Sequence, residues 1–149
     1  ERLKAGKLIA ALPAGMEIWL DGGHNPHGAA AVAQTLADLD ERSPKPLVMI
    51  LGMMGQKDAS GFLAPFRGLV RRVVTVPIPG AHEKPHEPVA LAGIAAGLGF
   101  TVEAATGVPE ALERLRREAS GPLRVLICGS LYLAGHVMAL QVGAATQSN

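Results

Sequence analysis

Short runs of apolar residues alternate along the chain with longer segments in which apolar residues recur every three or four positions. Several short runs are continuous Val, Ile and Leu stretches, as in parallel strands that are buried on both faces. They predict strands at residues 7–12, 17–21, 47–52, 72–76, 100–104 and 124–129. The longer segments predict helices at residues 26–40, 60–69, 88–97, 109–119 and 131–142.

This alternation of strands and helices also predicts the fold class. A repeated β-α pattern forms a mostly parallel sheet with helices on both faces and right-handed crossovers. We therefore expect a Rossmann-like α/β domain with about six strands. Only residues 13–16 separate the first two predicted strands. Because this link is too short for a crossover helix, the first strand is expected to be an antiparallel edge. The small, polar tail from Gly143 is expected to fray.

Composition narrows the class of protein. A length of 149 residues with 48% hydrophobic and 3% aromatic content predicts one domain with an aliphatic core. A net charge of +1 without a concentrated basic patch argues against nucleic-acid binding. No apolar stretch approaches the ~20 residues of a membrane span and no signal peptide opens the chain, so we interpret it as cytoplasmic. We also expect a monomer. The single cysteine, Cys128, lies in an apolar run and is expected to be a buried, unreactive thiol.

The most informative polar segment is Asp-Gly-Gly-His-Asn-Pro-His at residues 21–27, between a predicted strand and a predicted helix. Asn25 is a good N-cap and Pro26 suits the first helical position. Asp21 and His24 are therefore expected at the carboxyl edge of the sheet, where open α/β sheets bind ligands and helix N-termini favour anions. The plain alternative is that Asp21 caps a turn and His24 packs against the helix start.

Two further polar positions follow predicted strands. Lys57 ends the loop after strand 47–52 and could meet a phosphate or a carboxylate at the same edge. The next residue, Asp58, is favoured as an N-cap over a catalytic role, with Ser60 as the alternative cap. Ser130 follows strand 124–129 and is expected to cap the last helix. No G-x-S-x-G motif surrounds it, so it is not interpreted as a hydrolase nucleophile.

Residues 82–86, His-Glu-Lys-Pro-His, match the zinc-protease pattern H-E-x-x-H in letters only. That motif requires both histidines on one face of a regular helix. Pro85 disfavours a helical conformation at Lys84 and has no backbone N–H to donate. We therefore predict a surface loop and no metal site.

Three segments together resemble one known family. Residues 21–27 look like the D-G/A-x-H-N-P signature of the C-terminal domain of folylpolyglutamate synthase/dihydrofolate synthase, in the Mur ligase superfamily. Residues 51–58, Leu-Gly-Met-Met-Gly-Gln-Lys-Asp, resemble its L-G-x-x-x-x-K-D loop. Residues 129–133, Gly-Ser-Leu-Tyr-Leu, resemble its late G-S-L-Y-L segment. The three occur in family order and span almost the whole chain.

The resemblance implies an ATP-dependent ligase that joins L-glutamate to a folate or to dihydropteroate through an acyl phosphate. It implies that Asp21 contacts the nucleotide and that His24 lies near the amino-acid carboxylate or the phosphates. Asn25 is expected mainly to shape the turn, and Ser130 to lie near the bound glutamate. The family arginine of the loop at 82–86 has no counterpart here, and its role is not transferred to Lys84.

The sequence contains neither a G-x-x-x-x-G-K-[ST] phosphate loop nor a G-x-G-x-x-G motif after a strand. Family ligases carry the phosphate loop and the Mg²⁺ ligands in a preceding domain. Residues 1–149 are therefore interpreted as a single C-terminal domain, a fragment expected to be inactive alone. Its expected partners are that ATP-binding domain, ATP with Mg²⁺, L-glutamate and the folate or dihydropteroate acceptor.

Two alternatives to a folate ligase remain open. A peptidoglycan-type Mur ligase shares the fold and the reaction but is expected to carry a D-N-P-R-like motif. This chain has Val-Pro-Ile-Pro-Gly at residues 76–80 instead. The other alternative is a Rossmann-like binding domain without enzymatic activity. The sequence leaves open whether the acceptor is dihydropteroate, a folate or both.

Overall fold

The computed structural model describes residues 1–143, so most of the tail expected to fray lies outside the described residues. The strands are β1 (Arg2–Leu3), β2 (Met16–Leu20), β3 (Leu47–Leu51), β4 (Arg72–Thr75), β5 (Thr101–Ala104) and β6 (Leu123–Cys128). The helices are α1 (Lys7–Ala10), α2 (Pro26–Arg42), α3 (Ala59–Leu63), α4 (Pro88–Gly97), α5 (Val108–Glu118) and α6 (Leu131–Val142). None of the helices within residues 1–143 is both long and apolar enough to span a membrane.

The six strands form one sheet in the order β1-β2-β6-β3-β4-β5. Strand β1 is antiparallel to β2, and every other neighbouring pair is parallel. The predicted α/β class with an antiparallel edge is thus confirmed. Strand β6 lies between β2 and β3, so the carboxyl ends of these three strands are adjacent at one edge of the sheet.

The core consists of two apolar layers, one on each face of the sheet, because successive strand residues point to opposite faces. In β3, Val48 and Ile50 join the layer covered by α5 and α6. The alternate residues Met49 and Leu51 join the layer covered by α2, α3 and α4. All residues of β3 and β6 are buried, which explains the continuous apolar runs at residues 47–51 and 125–128.

The strand predicted at residues 7–12 is wrong, because helix α1 forms there and the antiparallel edge strand is the earlier β1. Gly6 has a φ of 127°, a region open mainly to glycine, and turns the chain out of β1. The Gln141 side chain then accepts a hydrogen bond from the Leu8 N–H (2.9 Å) and donates one to the Ala5 carbonyl (2.7 Å). Backbone groups of this turn therefore find partners on α6 instead of in the sheet.

The third helix is shorter than the predicted 60–69. Helix α3 is followed by a 3-10 turn over Ala64–Phe66. Pro65 explains the change, since it has no N–H to donate to the α-helical ladder. The remaining predicted boundaries agree with the structure to within two residues.

A buried ion pair lies at the N-terminal end of the central strands. Arg124 on β6, with a side chain only 1% exposed, donates from Nε to Glu17 on β2 at 3.0 Å and from Nη2 to the Ser43 carbonyl at 3.0 Å. Burial by itself raises the pKa of Glu17, but hydrogen bonds from Lys45, Trp19 and Arg124 outweigh it and lower the pKa to about 2. These charges are thus satisfied within the protein.

Candidate functional site

Three loops leave the carboxyl edge of the sheet side by side, following β2, β3 and β6. The backbone hydrogen bonds between the parallel strands continue one residue beyond the ends of β2 and β3. Asp21 donates its N–H to the Ile127 carbonyl at 3.0 Å, and Gly52 donates to the Cys128 carbonyl at 3.2 Å. The three motifs found in the sequence are therefore brought to the same edge.

A cleft of about 280 Å³ lies between these loops. Its lining residues are His24, Met54, Gln56, Lys57, Glu83, Ser130, Leu131 and Tyr132. Of the predicted site residues, His24, Lys57 and Ser130 line this cleft, Asp21 borders a separate groove between β2 and α2, and Asn25 lines neither. A larger open groove of about 1030 Å³ runs along β1 and α6, but no residue of the three motifs lines it.

Helix α2 begins as its sequence predicts. The Asn25 side chain accepts a hydrogen bond from the Gly28 N–H at 2.9 Å, and Pro26 is the first helical residue. His24, directly before the cap, lines the cleft. Its Nδ1 is shielded from solvent and has no hydrogen-bond partner within residues 1–143. Buried polar atoms are normally hydrogen-bonded. The His24 Nδ1 is an exception, so no hydrogen bond within the described residues accounts for its position.

Asp21 caps the turn that follows β2. Its Oδ2 accepts a hydrogen bond from the Gly23 N–H at 2.9 Å, as the plain structural alternative expects. A Cβ at Gly23 would lie 2.7 Å from the same oxygen, so a larger residue would displace the carboxylate. Burial raises the pKa of the neighbouring Cys128 thiol well above its ordinary value, and the Asp21 charge adds to this effect. The cysteine is thus the buried, protonated thiol that its apolar run predicts.

Ser130 both caps helix α6 and lines the cleft. Its buried Oγ accepts hydrogen bonds from the N–H groups of Tyr132 (3.0 Å) and Leu133 (3.4 Å), capping α6. The residue also lines the cleft, so the cap and the first turn of α6 face the same space. The preceding Gly129 has a φ of 108°, and a Cβ there would lie 2.5 Å from the Gly52 carbonyl oxygen. Only glycine allows the loops after β6 and β3 to approach so closely.

Lys57 lines the cleft from the loop before α3, where its own N–H donates to the Met54 carbonyl at 3.0 Å. The next residue, Asp58, accepts a hydrogen bond from the Gly61 N–H at 2.9 Å and is the N-cap of α3. The favoured capping role of Asp58 is therefore confirmed.

The segment at residues 82–86 forms a loop, as Pro85 predicts, and not the helix that a zinc-protease motif needs. It is also part of the cleft, because Glu83 lines it and accepts a hydrogen bond from the Gln56 side chain at 3.2 Å. The sequence interpretation missed Glu83, Gln56 and the approach of this loop. The sequence indicated that both loops follow strands. It did not indicate that β3 and β4 are neighbours, and this neighbourhood brings the two loops together.

The chemistry of the cleft fits an anion. Lys57 supplies a positive charge, and the capped N-terminus of α6 supplies a favourable dipole in the same cleft. The Glu83 carboxylate, which also lines the cleft, accepts a hydrogen bond from Gln56 and offsets part of this positive potential. Within residues 1–143 there is no group of three or more His, Cys, Asp or Glu side chains that could hold a metal ion. The cleft therefore fits the charge of a carboxylate or a phosphate.

Comparison with known proteins identifies the family. The family described as Mur ligase, glutamate ligase domain, matches residues 7–131, which is most of the chain. The protein therefore belongs to the Mur ligase glutamate ligase domain family, in agreement with the resemblance of its motifs.

Individual relatives place the chain near folate ligases. The dihydrofolate synthase/folylpolyglutamate synthase of Mycobacterium tuberculosis is 43% identical over 58 residues, covering 38% of this chain and 11% of that protein. A Mycobacterium tuberculosis folylpolyglutamate synthase complexed with ADP and AMPPCP superposes with a TM-score of 0.66 at 28% identity, covering 88% of this chain and 30% of the other. A bifunctional Yersinia pestis folylpolyglutamate synthase/dihydrofolate synthase complexed with AMPPNP and Mn gives 0.69 at 26% identity, covering 83% and 28%. The chain thus spans less than a third of these structures.

Proposed function

We propose that this chain is the C-terminal domain of an ATP-dependent ligase that adds L-glutamate to a folate, to dihydropteroate or to both. Membership of the glutamate ligase domain family and the ligands named for its relatives support the proposal. The observation that carries it is geometric. His24, Lys57 and Ser130 come from three separate loops and line one anion-compatible cleft.

In the proposed reaction the acceptor carboxylate attacks the γ-phosphate of ATP and gives an acyl phosphate and ADP. The glutamate amine then attacks the acyl carbon, phosphate leaves, and an amide forms. Lys57 by its charge, and the N-terminus of α6 at Ser130 by the helix dipole, would hold a glutamate carboxylate or a phosphate. His24 would orient the same anion. These residues contribute positioning and electrostatics, with no covalent step of their own.

Asp21 would act toward the nucleotide from the groove beside the cleft. The phosphate loop and the Mg²⁺ ligands would come from a preceding domain of the same enzyme, since the sequence contains no G-x-x-x-x-G-K-[ST] motif. When bound there, Mg²⁺ would neutralise the charge of the ATP phosphates. Closing the two domains would exclude water from the acyl phosphate.

The activity test uses the complete protein that contains this chain, purified from a host lacking its own folate ligase. ADP formation should depend on L-glutamate together with dihydropteroate or tetrahydrofolate, and the preferred acceptor shows which reaction is native. The 149-residue chain alone should give no turnover. Turnover with a UDP-muramoyl acceptor instead would support the peptidoglycan branch, and no ATP cleavage with any acceptor would favour a binding domain.

Substitutions test the assigned residues. In the complete enzyme, Asp21→Ala should weaken the use of ATP and His24→Ala the use of glutamate. Loss of one charge-assisted contact costs about 1.5–3 kcal/mol, so kcat/KM should fall roughly ten- to a hundredfold. His27→Ala is the matched control, because His27 is exposed and does not line the cleft. Normal kinetics of His24→Ala, or unfolding of the 149-residue chain by it, would favour the plain structural role.

A further inference from the structure

Two loops pair with each other outside the sheet, next to the cleft. Residues 53–57 follow β3 and residues 82–86 follow β4. Pro85 forms an isolated antiparallel bridge with Met54. Residues 82–86, whose sequence matches the zinc-protease pattern, therefore lie against the loop that carries Lys57. We call residues 82–86 the clasp.

Backbone hydrogen bonds hold the clasp in place. The His86 N–H donates to the Met53 carbonyl at 2.8 Å, and the Gly55 N–H donates to the Lys84 carbonyl at 3.0 Å. A Cβ at Gly55 would lie 2.9 Å from the same Lys84 oxygen, so the contact requires glycine. The clasp is thus in direct contact with the Lys57 loop.

The His86 side chain also contacts the Lys57 loop. Its Nε2 lies 3.2 Å from the Lys57 carbonyl oxygen. Because a carbonyl oxygen only accepts, Nε2 must carry the hydrogen, and a neutral ring is therefore the Nε2–H tautomer. The bond fixes the backbone of Lys57, which lines the cleft.

We propose that His86 is a positioning residue, which holds the Lys57 carbonyl so that the Lys57 side chain faces the cleft with His24 and Ser130. This inference rests on the proposed function, in which that cleft binds an anionic group of the substrate. A loop residue without a partner samples several backbone conformations and loses that freedom on binding. The His86 bond removes part of this cost before glutamate arrives.

Three variants of the complete enzyme test whether the hydrogen bond from His86 Nε2 to the Lys57 carbonyl supports glutamate binding. His86→Leu removes it, His86→Gln restores an amide N–H near the position of Nε2, and His82→Leu changes the exposed histidine of the same loop. Losing one neutral hydrogen bond corresponds to about a three- to tenfold change. The KM for glutamate should rise by that factor in His86→Leu, with kcat changed less. His86→Gln should lie within about twofold of the wild type, and His82→Leu should match it.

Amide hydrogen exchange in the 149-residue chain gives a readout that is independent of activity. The amides of Gly55 and Lys57 both donate to backbone carbonyls in the paired loops. Their exchange should accelerate in His86→Leu, and should stay at the wild-type rate in His86→Gln and His82→Leu.

The proposal is overturned if His86→Leu and His82→Leu behave alike, or if His86→Gln is as impaired as His86→Leu. Unchanged exchange at Gly55 and Lys57 in His86→Leu would also overturn it. A complete wild-type enzyme without glutamate-dependent activity would instead refute the proposed function. In that case the exchange rates alone still decide whether His86 holds the loop.

Discussion

At the N-terminal end of the sheet, Glu17 and Arg124 are buried and paired, whereas at the C-terminal end His24 and Lys57 face an open cleft. The same neighbouring strands lead to both ends, since Glu17 and Arg124 are register partners on β2 and β6. At one end the charges find their partners inside the protein. At the C-terminal end, Lys57 and His24 line an open cleft, and the His24 Nδ1 has no hydrogen-bond partner within residues 1–143.

This contrast separates charges that serve the fold from charges available to a ligand. A buried pair costs solvation free energy, which its own hydrogen bonds must offset, so both partners are needed. Lys57 avoids that cost because it stays partly exposed. Substitutions at the N-terminal end should therefore affect stability, and those in the cleft should mainly affect activity.

The largest stability effect is expected from breaking the buried pair. Glu17→Leu removes the carboxylate that is hydrogen-bonded to the guanidinium of Arg124, which is 1% exposed, and leaves only Asp40 at 3.9 Å. Removing one partner of a buried pair typically costs about 3–5 kcal/mol in the free energy of unfolding. Urea unfolding of the 149-residue chain measures this loss.

The double variant Glu17→Leu/Arg124→Met is the control, because it removes both members of the buried pair, retains side-chain volume and leaves only the partly exposed Lys45 without its partner. It should recover most of the lost stability. A double variant as unstable as Glu17→Leu would show that side-chain shape, and not an unpaired charge, causes the loss.

Acid should weaken the same end of the sheet. The pKa of Glu17 is lowered from 4.5 to about 2, so its stabilising contribution is complete above pH 4.5 and is lost as the pH falls toward 2. The shift corresponds to roughly 3 kcal/mol at most. Urea unfolding across this pH range should therefore show a steeper loss in the wild type than in Glu17→Gln. Parallel curves would place the acid sensitivity elsewhere, for example at Glu110 or Glu113, which both proteins retain.

The local features of the cleft could be predicted from the sequence. Asn25 and Asp58 are caps in the structure as their residue types and positions indicate. The continuous apolar runs of β3 and β6 identified strands buried on both faces. Family motifs predicted which side chains would carry function, and the roles of those side chains stay predictions until the variants are measured.

Long-range pairing could not be predicted in the same way. The insertion of β6 between β2 and β3 brings Ser130 beside His24 and Lys57, and no local pattern specifies that strand order. The pairing of Glu17 with Arg124, 107 positions apart, depends on the same order. The error at residues 7–12 has a similar origin, since Gln141 stabilises that turn from the far end of the chain.

Ser130 combines a structural and a proposed functional position, because it caps α6 and also lines the cleft. Ser130→Ala removes the acceptor for two N–H groups and should lower the free energy of unfolding by about 1 kcal/mol. Glu110→Ala, which removes the acceptor of the Thr106 N–H at the start of α5, should also destabilise a helix start and is the control, since Glu110 does not line the cleft. If Ser130 also serves the substrate, only Ser130→Ala should raise the KM for glutamate in the complete enzyme. Equal kinetic effects of the two variants would assign Ser130 to the fold alone.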